Sequence, residues 1–271
     1  YNKPTNKKHD PTGWAGEETL DIEAAHTMAP KANITYIGAP NNFRDMDAIM
    51  NRVVMNRSVD IVSNSYGYGG EALPWGTIKP SLDTQIQAAA EGISLFFSSG
   101  DSGDETNGVA SAFKAASPDW PASSPFVTAV GGTSLGVGAD NTRTFELGWE
   151  TARSSLAKDA NGNPVWGDPT YLYGSGGGTS RLFTQPTYQK GVVPDALAMG
   201  ATSGGRSQKM RVVPDVAAVG DPTTGMLVGE TQQFSDGVYY DEYRIGGTSL
   251  ASPIYAGIFA NVVQAAGHRY G

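Results

Sequence analysis

The sequence lacks cysteine and has little histidine. The histidines are His9, His26 and His268, and there is no cysteine among the 271 residues. The absence of cysteine excludes disulfide bonds, thiolate catalysis and zinc–sulfur sites together. Any hydrolytic chemistry must therefore rest on hydroxyl groups, carboxyl groups and a few imidazoles.

Positive charge and long apolar runs are also scarce. Lysine and arginine number 19 against 27 acidic residues, which gives a formal net charge of −8. No basic footprint for nucleic acid is present, and no apolar run approaches the ~20 residues of a membrane span. The polar start of the chain predicts no signal peptide. We therefore expect no nucleic-acid partner and no membrane partner, and an acidic surface of this kind suits a secreted protein.

Glycine is abundant, with 35 residues, and 39% of the chain is hydrophobic. This composition favours a globular protein with many tight turns rather than a disordered one. No internal repeat or linker is visible, so we expect one domain over residues 1–271, and a monomer.

Helix and strand signals alternate in the first half of the chain. This alternation predicts an α/β fold with a mostly parallel central sheet and helices on both faces. Residues 139–172 are rich in turn formers and predict surface hairpins and loops, with a turn at 159–164. The predicted helices cover residues 17–28, 46–55, 81–91 and 254–266, and the predicted strands cover 34–37, 59–62, 93–97, 126–130 and 212–218.

Three loops rich in glycine and serine follow predicted strands, at 64–70, 98–103 and 131–132. Because ligands bind at the carboxyl ends of strands in such sheets, we expect these loops to line one edge.

Ser249 stands between a glycine pair and an apolar helix, in the segment GGTSLASP at residues 246–253. A serine at a helix start meets free backbone N–H groups, which suits attack on a carbonyl and stabilisation of the resulting oxyanion. The same pattern is typical of a simple helix cap.

A serine nucleophile needs a base. Among the histidines, His26 on a predicted helix is one candidate. Glu17 and Asp21 are the alternative, since their i, i+4 spacing places the two Cβ atoms about 5–6 Å apart. In a partly buried cleft such a pair shares a proton and can accept one from Ser249, whereas on a solvated helix the two are ordinary surface charges.

Asp101 follows an apolar strand and is flanked by Gly100 and Ser102. It is either a turn residue or a side chain aimed at an oxyanion. In the second role it must be protonated, and a carboxyl of ordinary pKa near 4 is protonated only in acid. The neighbouring Asp104 and Glu105 could instead mark a cation site, although no calcium-loop pattern surrounds them.

Taken together, the motifs resemble the sedolisin family, the serine-carboxyl peptidases, which have a subtilisin-like fold. The matching segments run in family order over roughly residues 13–267. They are Glu17-x-x-x-Asp21, Ser65-Tyr66-Gly67, SSGDSG at 98–103, PASSP at 121–125, VGGT at 130–133, GGG-x-S at 176–180, Pro214-Asp215 and GTS-x-x-x-P at 247–253.

The resemblance implies an acid-active endopeptidase with four catalytic residues. Ser249 would be the nucleophile, Glu17 the general base and Asp21 its proton-sharing partner. Asp101 would donate to the oxyanion together with the N–H of Ser249.

The resemblance also implies how the protein meets its substrate and partners. Ser65, Tyr66, Gly67 and Gly177 would bind the peptide or protein substrate. The family is secreted, or lysosomal in some members, and is made with an inhibitory prosegment.

The chain departs from the family at both ends. The family has a strand ahead of the Glu-x-x-x-Asp helix, and a calcium site in a loop after the nucleophile helix. We therefore expect Ca²⁺ in the parent protein but no metal ligand within this chain, which we interpret as a fragment. The alternatives are a tripeptidyl-peptidase of the same family, a Ser–His enzyme using His26, and an inactive fragment or peptide-binding module.

Overall fold

A computed structural model describes residues 11–40, 43–106, 116–201, 205–234 and 236–271. The helices are α1 (Pro11–Met28), α2 (Phe43–Met55), α3 (Trp75–Ala90), α4 (Asp195–Ala198) and α5 (Thr248–Ala266). The strands of the central sheet are β1 (Ile61–Asn64), β2 (Ser94–Ser98), β3 (Thr128–Val137), β4 (Arg143–Gly148) and β11 (Val216–Val219). The remaining strands are β5 (Glu150–Arg153), β6 (Leu156–Lys158), β7 (Pro164–Trp166), β8 (Thr170–Gly174), β9 (Gly178–Thr184), β10 (Met210–Val213), β12 (Met226–Phe234) and β13 (Gly237–Ile245).

The central sheet is mostly parallel. Strands β1, β2, β3 and β11 pair in that order, all parallel, and β4 adds to β3 in the antiparallel direction. The side chains of β2 alternate between its two faces. Phe96 packs with Ala251 of α5, whereas Leu95 and Phe97 pack with Val54 of α2 and Ala88 of α3. Helices therefore cover both faces, which confirms the predicted fold class.

Helix α1 lies against α5 and runs in the same direction. Leu20 and Ala24 are buried against Leu250 and Ile254. Further along, a Cβ on Gly257 would come within 2.7 Å of the Met28 Cβ, so the two helix backbones approach closely. This packing places the first half of α1 beside the start of α5.

The predicted strand at residues 34–37 is wrong. This segment has no regular secondary structure, and Ile34, Tyr36 and Ile37 are exposed. In the described residues no strand pairs with it. Because a strand exists only through hydrogen bonds to a neighbour, an apolar run alone does not make one.

The predicted third loop at residues 131–132 is also wrong. Strand β3 continues through both glycines to Val137. Glycine is needed there for close packing, because a Cβ on Gly131 would come 2.7 Å from Pro214 and one on Gly132 would come 2.7 Å from Trp149. The glycine pair therefore belongs to the sheet and not to its edge.

Residues 212–218 form two strands instead of one. Strand β10 ends before Pro214 and pairs with β9, while β11 joins the central sheet. Pro214 has no N–H to donate to a strand neighbour, so a single ladder is interrupted there.

Outside the central sheet, some predictions are confirmed and others differ from the structure. Residues 139–172 form the expected exposed hairpins, and the turn at 159–164 connects β6 to β7. Helix α3 starts at Trp75, which is six residues ahead of the predicted start, and it includes Pro80. The β12–β13 hairpin was not predicted.

Candidate active site

The candidate site lies where the carboxyl ends of β1 and β2 meet the start of α5. Ser249 is the second residue of α5 and is half-buried. Its N–H belongs to the first helical turn, where backbone donors have no partner within the helix. The preceding Gly247 has φ 95° and ψ 162°, a combination that only glycine adopts readily.

Glu17 and Asp21 of α1 lie beside Ser249. The Ser65 hydroxyl, just after β1, donates a hydrogen bond of 2.6 Å to Oδ1 of Asp21, and it lies 3.3 Å from the backbone oxygen of Ser249. In the described part of the chain, Oε1 of Glu17 is buried without a hydrogen-bond partner. Three segments distant in sequence therefore converge on one carboxyl pair.

The environment of the carboxyl pair favours the protonated forms. Burial raises the pKa of Glu17, hydrogen bonding by the Ser249 hydroxyl opposes that rise, and the charge of Asp101 adds to it. Burial also raises the pKa of Asp21 to about 8, with a further contribution from the charge of Glu17. The pair therefore holds at least one proton from acid to neutral pH.

Asp101 reaches the start of α5 from the loop after β2. Its Oδ1 accepts two hydrogen bonds from Thr248, one from the backbone N–H and one from the hydroxyl, each 2.8 Å long. Its Oδ2 lies over Gly247, where a Cβ would come within 2.9 Å of it. The residue is exposed.

The glycine bend at 174–178 supports the loop that carries Asp101. The N–H of Gly174 donates to the backbone oxygen of Asp101, and the N–H of Gly176 donates to the backbone oxygen of Gly100. The N–H of Gly177 donates to the Gly103 oxygen at 3.1 Å. Gly177 therefore lies against the loop that carries Asp101.

Ser65, Tyr66 and Gly67 leave β1 at its carboxyl end. The Tyr66 side chain is turned into the core, where it packs edge-on against Phe97. Gly67 is exposed, and a Cβ there would come 2.9 Å from the Trp120 oxygen. The side chain of Tyr66 is thus a packing group, whereas that of Ser65 contacts Asp21 in the site.

The histidines with described positions are far from this arrangement. His26 is exposed, and its neighbour Ala25 packs at Gly257, two turns beyond Ser249. His268 is exposed and lies beside Tyr270. His9 lies outside the described residues.

Within the described ranges, no group of three or more His, Asp or Glu side chains is placed to hold a metal ion such as calcium. Those ranges do not fit the metal that the resemblance implies. No helix within them is both long and apolar enough to cross a membrane.

A second carboxyl pair was missed by the sequence analysis. Asp119 is hydrogen-bonded to Glu105 and also accepts the N–H of Gly70 at 2.8 Å. Burial raises the pKa of Asp119 to about 8, and the charge of Glu105 contributes. The only sequence signal was the Asp104-Glu105 doublet, which gives no indication that Asp119 lies nearby.

Thr248 was also missed. The sequence showed it only as part of a glycine-rich helix start. Its contact with Asp101 depends on two segments that are 147 residues apart, so no local pattern could reveal it.

Peptidases are among the relatives. Kumamolisin from Bacillus sp. is 34% identical over 276 residues, which cover all of this chain and 43% of that protein. Sedolisin from Pseudomonas sp. is 30% identical and covers 82% of this chain and 32% of that protein. Tripeptidyl-peptidase 1 from Canis lupus familiaris is 30% identical and covers 92% and 39%. The chain thus spans less than half of the length of each of these relatives.

Among solved structures, Pseudomonas sedolisin, a serine-carboxyl proteinase complexed with two molecules of pseudo-iodotyrostatin, superposes with a TM-score of 0.70. It is 27% identical in sequence, and the match covers 94% of this chain and 63% of that one. The sequence matches the subtilase family over residues 7–269. The predicted resemblance is therefore confirmed: the chain belongs to the subtilase family of serine-type peptidases and has sedolisin-type relatives.

Proposed function

We propose that this protein is an acid-active serine-carboxyl endopeptidase that cleaves peptide bonds through an acyl-enzyme on Ser249. The observation that carries the proposal is the convergence of Glu17, Asp21 and Asp101 on the first turn of α5. The Ser249 hydroxyl lowers the pKa of Glu17 and the charge of Asp101 raises it. Glu17, Ser249 and Asp101 therefore interact electrostatically.

Glu17 is the general base in this proposal. Its carboxylate takes the proton of the Ser249 hydroxyl as the serine oxygen bonds to the substrate carbonyl carbon, and it returns that proton to the leaving amine. Asp21, with its pKa raised to about 8, stays protonated in acid and shares its proton with Glu17. A water molecule then releases the acyl group by the same route.

Asp101 and the N–H of Ser249 stabilise the oxyanion. Both border the space over Gly247: Oδ2 of Asp101 is 2.9 Å and the Ser249 nitrogen is 3.6 Å from the position of a Cβ there. Asp101 donates only when it is protonated, whereas an ionised carboxylate would repel the developing charge. This need for a protonated carboxyl group at the oxyanion site is the reason why we propose activity at acidic pH.

The substrate lies as an extended peptide along residues 65–67, which donate and accept backbone hydrogen bonds as an added strand would. Ser65 and Gly67 take part through their backbone, as does Tyr66, and the carbonyl of Gly177 faces the substrate from the other side. We also propose that the protein is a monomer that works outside the cytosol. Its precursor carries an inhibitory prosegment, as in the family that it resembles.

The test is cleavage of a peptide library at pH 4 by the protein and by its Ser249→Ala variant. We expect cleavage to fall by at least about 10³-fold, because the nucleophile is lost. Ser252→Ala, a nearby buried serine of the same helix, is the matched control. Full activity in Ser249→Ala would refute the proposal. Substrates with blocked amino termini separate an endopeptidase, which cleaves them, from a tripeptidyl-peptidase, which does not.

A further inference from the structure

Thr248 contacts the loop that carries Asp101 through both its backbone and its side chain. Its side chain is buried, with 1% exposed. Its N–H and its hydroxyl both lie 2.8 Å from the same carboxyl oxygen, Oδ1 of Asp101. The hydroxyl oxygen accepts the N–H of Gly100 at 3.1 Å.

The single hydroxyl proton of Thr248 has two possible acceptors. The carbonyl oxygen of Gly100 is 3.1 Å away, whereas Oδ1 of Asp101 is 2.8 Å away. The shorter contact, to a carboxyl oxygen that also accepts the Thr248 N–H, is the stronger one. Oδ1 of Asp101 is therefore an acceptor for two donors.

This arrangement decides where Asp101 carries its proton. The direction of the Thr248 N–H is set by the backbone, so this donor stays directed at Oδ1. A protonated carboxyl oxygen is a poorer acceptor than a carbonyl oxygen. The neutral acid therefore keeps its C=O at Oδ1 and its O–H at Oδ2. Oδ2 is the oxygen that lies over Gly247, next to the N–H of Ser249.

We infer that Thr248 is a positioning residue that holds Asp101 with its proton on Oδ2, directed at the oxyanion. The inference rests on the proposed function and adds a specific residue to it. Thr248 does not touch the reacting atoms itself. It acts by occupying one carboxyl oxygen with donors so that the other becomes the donor.

The charge of Asp101 acts on titratable groups from three other parts of the fold. These groups are Glu17 of α1, Asp119 of the loop before β3 and the Tyr171 hydroxyl of β8. Glu105 and Asp104 lie on the same loop as Asp101 and act on Tyr171 as well. The groups that the charge of Asp101 reaches are thus acidic, whereas Thr248 supplies hydrogen-bond donors to its carboxyl group.

The first test compares Thr248→Val with Thr248→Ser. Valine removes the hydroxyl donor and retains the shape, so we expect kcat to fall about tenfold with KM nearly unchanged. Serine restores the hydroxyl and should restore kcat. Thr84→Val, at a buried threonine of α3, controls for the loss of a buried hydroxyl.

Several outcomes would overturn the inference. A Thr248→Val variant whose kcat and KM match those of Thr84→Val would do so. A loss of kcat that serine fails to rescue would also do so, since that is the pattern of a purely structural residue.

The second test needs no change at Thr248. Amide hydrogen exchange of Thr248 is measured in the Ser249→Ala protein, which cannot digest itself, at pH values below and above the alkaline limb of the wild-type profile. If Oδ1 stays an acceptor when Asp101 is protonated, the protection factor of the Thr248 amide stays the same at both pH values. A loss of protection in acid would place the proton on Oδ1 and refute the inference.

The two proposals fail separately. If Ser249→Ala is fully active, the proposed function fails. If Ser249→Ala is inactive while Thr248→Val behaves like Thr84→Val, the positioning role fails and the proposed function stands.

Discussion

The Ser65 hydroxyl donates a hydrogen bond of 2.6 Å to Oδ1 of Asp21 and so ties the end of β1 to the carboxyl pair on α1. The resemblance to the family implied only substrate binding for Ser65. Its side chain orients the carboxyl that sits next to the proposed base, and its hydrogen bond opposes the rise in the pKa of Asp21.

Replacing Ser65 with alanine should raise the pKa of Asp21 above its value of about 8, because a donor to the ionised form is lost. We expect kcat at pH 4 to fall several-fold, since Asp21 is no longer fixed in orientation. The titration of the Asp21 carboxyl carbon by NMR measures the shift. Ser63→Ala is the control, because Ser63 contacts Ser252 and not Asp21. An unchanged Asp21 titration in Ser65→Ala would contradict the account.

Gly247→Ala should damage the site without any loss of catalytic side chains. The backbone conformation of Gly247 is unfavourable for alanine, at a cost of about 1–3 kcal/mol. The new Cβ would also come within 2.9 Å of Oδ2 of Asp101 and displace it. We expect kcat to fall at least about tenfold, as when an oxyanion donor is misplaced.

Gly76→Ala is the matched control for that variant, because a Cβ there meets nothing within 4 Å and the residue lies in α3. Steady-state kinetics and thermal unfolding of both variants give the comparison. Equal kcat values in the two variants would show that catalysis does not depend on the position of Asp101 over Gly247.

Asp119→Asn should change how stability depends on pH. The pKa of Asp119 is about 8 in the folded protein and near its ordinary value of 3.8 in the unfolded chain. The unfolded chain therefore releases this proton first as the pH rises. The stability that Asp119 contributes is fully present below about pH 4 and is lost as the pH approaches 8, with a slope of up to ~1.4 kcal/mol per pH unit.

Asparagine keeps an acceptor for the Gly70 N–H but has no proton to lose. The free energy of unfolding of Asp119→Asn should therefore fall less between pH 4 and pH 8 than that of the wild type. Urea denaturation at several pH values measures both slopes. The exposed Asp83, on α3, provides the control variant Asp83→Asn. Parallel slopes for wild type and Asp119→Asn would show that the proton is not held in the folded state.

The sequence predicted those parts of the fold and site that depend on local geometry. The i, i+4 spacing of Glu17 and Asp21 survives in any helix, and the alternation of helix and strand signals indicates a parallel sheet. The glycine pair before Ser249 indicated a close approach of backbone and ligand, and Gly247 does adopt a conformation restricted to glycine.

The remaining features depend on contacts between distant segments. Residues 34–37 have the composition of a strand, but no described strand pairs with them. Gly131 and Gly132 look like a loop until Pro214 and Trp149 are placed beside them. The contacts of Thr248 with Asp101, and of Asp119 with Glu105, join segments that no local pattern connects.

The central claim is that a carboxyl group, and not a histidine, activates Ser249. The most direct measurement is kcat at pH 4 for Glu17→Gln, with His26→Ala measured beside it. Glutamine has nearly the same shape as glutamate but cannot accept the serine proton, so kcat should fall about 10²–10⁴-fold with little change in KM. His26→Ala should keep wild-type activity. A Glu17→Gln variant with nearly full activity, or a His26→Ala variant without activity, would contradict the account.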